Sequence, residues 1–415
     1  MDRIRLLRNP IRAYAWGSCT ALARLQGRPS PSAGPEAELW IGAHPAAPSS
    51  VVVEGGAVPL PEWIARDPAR VLGSEASARF GGGLPFLLKI LALARPLSLQ
   101  VHPDAARARA GFARETRAGI PLDAPERCYR EPRAKPELVC ALAPFRTLAG
   151  FRPPAEILAR FESLLPTLPP WLAPLRARPD AAGWRAAFET LLRAAPGASG
   201  ELVAEAARAA RSRAGADGGL AWLPRLAELH PEDPAALAPV FLHEVALAPG
   251  EALFLPPGLL HCYLEGLAVE VMASCDNVVR GGLTPKPVDV TELLAVARFE
   301  ADAPAPLLPR PVSPAEGVYP APCAEFRLAA LCPRGAPVEG EGFAVVLCTE
   351  GAVRVRALGG GEPLEIGPGA ALLVPASAGR HRVDGRGLAW RVSIPPLGRG
   401  RRPGLSRPAG GSRRS

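Results

Sequence analysis

The change of hydrophobic period along the chain constrains its fold more than any other feature. From residue 1 to about 150, apolar residues come in short runs such as AELWIGAH (37–44) and ARPLSLQVHP (94–103), punctuated by Gly and Pro. Runs of that length and texture read as strands. From about 153 to 240 the spacing turns helical in PAEILARFESLL, AAGWRAAFETLLRAA, GELVAEAARAARSRA and LAWLPRLAELH, with Pro and Gly as stops between them. Strand texture returns from 241 in FLHEVAL, EALFLP, LLHCYLEG and LAVEVMAS, and again over 310–396 in FAVVLCTEG, AVRVRAL and AALLVPA. A helical block that interrupts a β chain reads as an insert. Two stretches share a Pro-Gly turn before an apolar strand, APGEALFLPPG (248–258) and IGPGAALLVPA (366–376). That likeness points to two β-barrels of similar build.

The expected organisation is therefore mainly β. One β domain is assembled from 1–152 and 241–300, a helical domain occupies 153–240, and a second β domain spans 301–396. Residues 397–415 carry six Arg and no acid, and are expected to form a disordered basic tail. The formal charge of +8 falls to about +2 once those six are set aside, so no basic face for nucleic acid is indicated. No apolar run reaches the ~18 residues of a membrane span. The longest, Leu84 to Ala94, is broken by Lys89. The N-terminus has charges without a following apolar core, so no signal peptide is visible. The eight Cys are scattered without a C-x-x-C pair, as in a reduced cytoplasmic protein.

Arg has displaced Lys almost throughout. Only three Lys remain: Lys89, Lys135 and Lys286. Asn and Gln are as rare, with Asn9 and Asn277, Gln26 and Gln100. A compact ammonium and a planar guanidinium do different work, so a surviving Lys marks a place where a mobile point charge is wanted.

Strand alternation shows where the chemistry lies. In ARPLSLQVHP, Ser98, Gln100 and His102 share one face, and Leu97, Leu99 and Val101 the other. In AKPELVCAL, Lys135 and Glu137 stand in the same relation, and in LLHCYLEG so do His261 and Tyr263. Gln100, His102, Glu137 and His261 together offer two imidazoles, one carboxylate and one amide oxygen, a donor set suited to Zn²⁺ or a similar divalent ion. With one carboxylate such a site keeps a net positive charge, which stabilises an anion formed during reaction. The three Lys and Arg280 fall in the same two segments, 84–137 and 251–286, and suit a phosphorylated or carboxylated substrate. Of the other histidines, His230 reads as a helix-end residue, His44 and His243 are undecided, and His381 reads as a solvent-facing loop residue.

Seven stretches are together distinctive: YAWGS (14–18), AELWIGAHPAAPS (37–49), LPFLLKILALARPLSLQVHPD (84–104), KPELVCAL (135–142), GFRP (150–153), GEALFLPPGLLHCYLEG (250–266) and MASCDNVVRGGLTPKPVDV (272–290). With them the chain resembles the type I mannose-6-phosphate isomerases, also called phosphomannose isomerases. The resemblance implies two cupin-like (jelly-roll) β-barrel domains with an inserted α-helical domain. It implies one Zn²⁺ per chain on Gln100, His102, Glu137 and His261. It implies Arg280 as an active-site residue, with Lys135 and Glu270 as candidates for the catalytic base beside a zinc-bound hydroxide. It also implies a substrate pocket at Trp16, Lys89, Ser98, Tyr263, Asp276 and Lys286. The implied reaction interconverts mannose 6-phosphate and fructose 6-phosphate by enediol proton transfer in a monomeric cytoplasmic enzyme.

Two departures stand out. Arg133-Ala134 occupies the place where the family often has Asn-His, which removes a candidate proton carrier. Leu260-His261-Cys262-Tyr263 replaces the usual Pro-His-Ala-Tyr but keeps the ligand. The alternatives are a non-catalytic sugar-phosphate-binding cupin and a different metal-dependent cupin enzyme. The C-terminal β region lacks closely spaced His or carboxylate ligands and is expected to be structural, without a second metal.

Overall fold

The computed structural model describes residues 2–212 and 219–396, so the 397–415 tail lies outside the described residues. The strands form three sheets, of ten, nine and four. The shared Pro-Gly turns pointed to two barrels. No closed barrel is present among the described residues; the strands instead make open sheets.

The ten-stranded sheet is organised by its longest strand, His261–Ala273. The first half of this strand pairs with Phe145–Phe151 and, at His261, with Leu99–Val101. Its second half pairs with Phe86–Leu93 and Glu137–Ala141. The handover falls at Gly266, whose φ is 127° and where a Cβ would meet the Pro144 carbonyl oxygen at 2.6 Å. Only Gly fits that backbone conformation and that close approach. One strand thereby belongs to two sub-sheets. Tyr263 and Glu270 are seven residues apart, roughly 23 Å in a straight strand and on opposite faces. Here the Tyr263 hydroxyl donates to Glu270 Oε1 at 3.0 Å. The bend at Gly266 and the register shift between Tyr263 and Glu265 close that distance and bring both side chains to one interior.

The helices leave the sheet after Phe145–Phe151 and return at Leu242–Leu247, and these two strands are antiparallel partners from Phe151 opposite Leu242 to Phe145 opposite Leu247. The helical stretch therefore departs and re-enters at neighbouring points of the sheet. Its main helices are Pro154–Leu164, Ala181–Leu192, Pro196–Ser212 and Trp222–Leu229. Asp180 caps the second through the Gly183 N–H, and His230 ends the last, as its place before Pro231 indicated. Phe151, Trp184, Phe188 and Phe241 pack ring against ring where the insert meets the sheet. Asp233 accepts the Leu283 N–H at 2.5 Å, docking the insert onto the strand Val279–Gly282.

The nine-stranded sheet mixes the two ends of the chain. Arg5–Arg8 lies between Ala371–Val374 and Ser50–Val53, so N-terminal strands complete a sheet otherwise built from residues 310–393. The four-stranded sheet shares an apolar core with it, including Val346, Val353, Val355, Leu372 and Val383. The two look-alike turns both lead into four-residue strands, Ala252–Leu255 and Ala371–Val374. His381 is not solvent-facing: it lies on the strand Arg380–Gly385 and is 1% exposed. No helix among the described residues is long and apolar enough to cross a membrane.

Candidate active site

Three sequence-distant residues converge inside the ten-stranded sheet. His102 follows the strand Leu99–Val101, Glu137 opens Glu137–Ala141, and His261 opens the long strand. One ligand atom from each lies within 4.8 Å of the others, and all three residues are buried. Gln100 is half-buried and sits in register opposite His261 on one side and Arg280 on the other.

The state of these atoms tests whether a metal fits. His102 Nδ1 lies 2.8 Å from the Asn277 carbonyl oxygen, and His261 Nδ1 lies 2.9 Å from that of Leu259. A carbonyl only accepts, so each Nδ1 carries the proton and each Nε2 presents a lone pair. Both Nε2 atoms and Glu137 Oε2 are buried without a hydrogen-bond partner. Buried polar atoms are normally satisfied, so three orphans aimed at one point fit a cation. Two imidazoles and a carboxylate, with an amide oxygen alongside, suit zinc. Burial, and the neighbouring His102, push His261 down to about 4, which keeps the ring neutral and able to ligate.

Around this group the charges are paired. Lys135 Nζ is 3.0 Å from Glu137 Oε1. Lys89 Nζ is 3.2 Å from Glu270 and 3.7 Å from Glu38, and stands over the Trp40 ring. The strand register sets this up, with Lys89 directly between Glu270 and Trp40 on its two neighbours. Burial alone would lower the Lys89 pKa, but Glu38 and Glu270 outweigh it and hold the ammonium. Burial likewise pushes Glu137 up, and here Lys135 reverses it, holding the carboxylate ionised. Glu270 behaves differently. Its burial, offset only in part by Lys89 and reinforced by Glu137 and Glu38, raises its pKa.

The remaining residues singled out by sequence lie at varied depths. Trp16 is partly buried against the cluster holding Tyr263, stacked on Tyr14 at 5.7 Å. Ser98 is half-buried just ahead of the strand Leu99–Val101. Asp276 takes His44 as a partner, Nε2 to Oδ2 at 3.2 Å. Arg280 is half-buried and lines a cavity of about 380 Å³ with Cys128, Arg193 and Asp289. Lys286 is exposed. Burial, with Arg130 as a second cause, lowers the Arg280 pKa; burial followed by Arg280 and Arg130 lowers that of Lys286. These three cations lie close enough to repel one another.

Sequence reasoning missed Glu38, Arg130 and the partner of His44. Glu38 was detectable, because a carboxylate between apolar residues in AELWIGAH implies a buried counter-charge. Arg130 was not, because nothing in its neighbourhood distinguishes it from the chain's many other Arg.

Comparison with known proteins gives the site its class. Residues 4–154 match the family description "Phosphomannose isomerase type I, catalytic domain". The mannose-6-phosphate isomerase of Escherichia coli (strain K12) is 39% identical over 390 residues, covering 92% of this chain and 98% of its own. The enzyme of the same name from Homo sapiens is 32% identical over 314 residues, covering 70% of this chain and 71% of its own. Among solved structures, mannose 6-phosphate isomerase from Salmonella typhimurium bound to fructose 6-phosphate and zinc superposes with a TM-score of 0.86. That pair is 35% identical, covering 94% of this chain and 99% of the other. A further solved mannose 6-phosphate isomerase, also holding zinc, gives the same TM-score at 34% identity, covering 94% and 99%. Fold, site and matches define an aldose–ketose isomerase with a buried group able to hold a metal ion. The chain belongs to the type I phosphomannose isomerase family.

Proposed function

We propose that the chain interconverts D-mannose 6-phosphate and D-fructose 6-phosphate through an enediol, using one Zn²⁺ held by Gln100, His102, Glu137 and His261. The observation that carries this reading is the convergence of three buried, unpartnered ligand atoms inside a frame of paired charges. When bound, the ion supplies positive charge that stabilises the developing enediolate oxygen.

The protein's own groups do the rest. Glu270 is the proton carrier between C1 and C2. A carboxyl whose pKa is raised by burial can take and return a proton nearer neutrality than a solvated one. The Tyr263 hydroxyl and the Lys89 ammonium fix its orientation. Lys135, next to Glu137, donates to a sugar oxygen as charge builds there. Lys89 is neutralised by two carboxylates, so the phosphate falls to Arg280 and Lys286 instead. Trp16, Ser98 and Asp276 complete the walls. Ala134 carries no proton, so the transfer does not use the His that the family often has there. The sheets are arranged in a cupin-like way, and the enzyme works as a cytoplasmic monomer.

A coupled assay for fructose 6-phosphate, run before and after chelation, tests the reading. Turnover should vanish with the metal and return with zinc; zinc-loaded protein that does not turn over mannose 6-phosphate contradicts it.

A further inference from the structure

Asn277 is fully buried, and its side chain is engaged at both ends. Its Oδ1 accepts the N–H of Arg130 at 2.7 Å and of Glu131 at 3.0 Å. Its Nδ2 donates to the carbonyls of Glu131 at 2.6 Å and Arg133 at 2.8 Å. Its own carbonyl accepts the Nδ1–H of His102. Three residues later in the chain comes Arg280. One residue thus touches a metal ligand, the segment that runs into Lys135, and the base of the strand carrying Arg280.

The chemistry demands an amide. A carboxylate would face the two carbonyls with no donor, and a hydroxyl cannot serve four backbone partners at once. In a chain with only two Asn, one stands here. Other ties to the same segment are fewer: Glu131 accepts the Asp276 N–H at 2.9 Å, and Cys275 Sγ lies 3.7 Å from the Arg133 carbonyl.

We infer that Asn277 is a positioning residue through which metal loading sets the segment 130–133 ahead of Lys135. An ion on Nε2 fixes the His102 ring, the ring holds the Asn277 carbonyl, and the Asn277 amide holds residues 130–133 ahead of Lys135. Hydrogen-bond partners behind a metal-binding His are known to govern its orientation, and here the partner is also the segment's clamp. The inference rests on the proposed metal site but not on the proposed reaction.

Amide hydrogen exchange on the full chain, with and without zinc alone, tests it. Zinc should slow exchange at Arg130 and Glu131 by about tenfold or more, by lowering the population of the locally open state. Amides in Ala344–Glu350 report general stabilisation and should change less. In Asn277→Ala the zinc effect at 130 and 131 should disappear while zinc still binds, and KM for mannose 6-phosphate should rise more than kcat falls. If that variant does not fold, Asn277→Asp keeps the acceptor and should retain part of the protection. Zinc-insensitive exchange at these two amides in the unmodified protein overturns the inference. Zinc-dependent protection without isomerisation of mannose 6-phosphate leaves it standing and removes the assigned reaction instead.

Discussion

The ten-stranded sheet and the nine-stranded sheet are made of similar strands, yet only one holds a cluster of buried charge. In the nine-stranded sheet, Val345, Leu347, Leu373 and Val392 are all fully buried and apolar. Its buried exception, Glu316, is matched by Arg391. In the ten-stranded sheet, Lys89, Glu137, His261 and Glu270 occupy buried strand positions, with His102 and Lys135 beside strand ends. The same pleat serves both. The difference is that charges in the first sheet come as an interlocked set, Glu38–Lys89–Glu270 and Lys135–Glu137, placed there by cross-strand register. A lone buried charge costs several kcal/mol, so each is tolerated only because a partner faces it. The set is a site because it leaves three ligand atoms unsatisfied, whereas Arg391 is satisfied by Glu316 and the Glu339 carbonyl.

That contrast can be broken most sharply at Lys89. Lys89→Met should lower kcat/KM by about 100-fold, because Glu270 loses the cation that orients it, a cost of the size seen when one pre-placed charge partner is removed. It should also destabilise the fold by roughly 3 kcal/mol in denaturant titrations, as two buried carboxylates lose their partner. Arg391→Met removes the analogous pair in the other sheet. It should lower stability by about 1–3 kcal/mol while kcat/KM stays within about twofold, since Arg391 lies in the other sheet and pairs only with structural groups. A loss of activity in Arg391→Met comparable to that of Lys89→Met would erase the distinction between the two sheets.

An effect that should vanish at pH 7 concerns His381, whose ring is buried. Burial, and then Arg391, push its pKa down to about 4. Above the unfolded value of about 6.5, both states hold a neutral ring and pH has no effect through this residue. As pH falls below that value the unfolded chain binds the proton first, so stability declines, by at most roughly 3 kcal/mol near pH 4. His381→Phe should flatten this decline, read as a smaller shift of the urea midpoint between pH 7 and pH 5. Activity at pH 7 should be unchanged.

Much of this was legible in the residues alone, and the reasons differ by feature. The grouping of His102, Glu137 and His261 was approachable because alternation in short strands assigns faces without knowing the sheet: Gln100 with His102, Lys135 with Glu137, His261 with Tyr263. The helices over 154–229 were readable because a period of 3.6 cannot be mistaken for a period of 2 over four successive helices. Sheet membership was not. The pairing of Arg5–Arg8 with Ala371–Val374 joins residues more than 360 positions apart, and no local pattern encodes that. Nor did alternation foresee that Tyr263 and Glu270 share an interior, since the bulge and the turn at Gly266 reverse the parity that alternation assumes. His381 was misread for the opposite reason: polar neighbours such as Arg380 and Arg382 pair outward with Glu339 and hide a ring that points inward.

The central claim is that Glu137 and the two imidazoles form one ion site on which turnover depends. Titrating metal-free protein with zinc while following both bound metal and isomerase activity tests it directly, alongside Glu137→Gln. The unmodified chain should take up one equivalent and gain activity in proportion, and Glu137→Gln should lose most of the uptake and the activity together. Uptake by Glu137→Gln equal to that of the unmodified chain, or full activity before any zinc is added, would contradict the account.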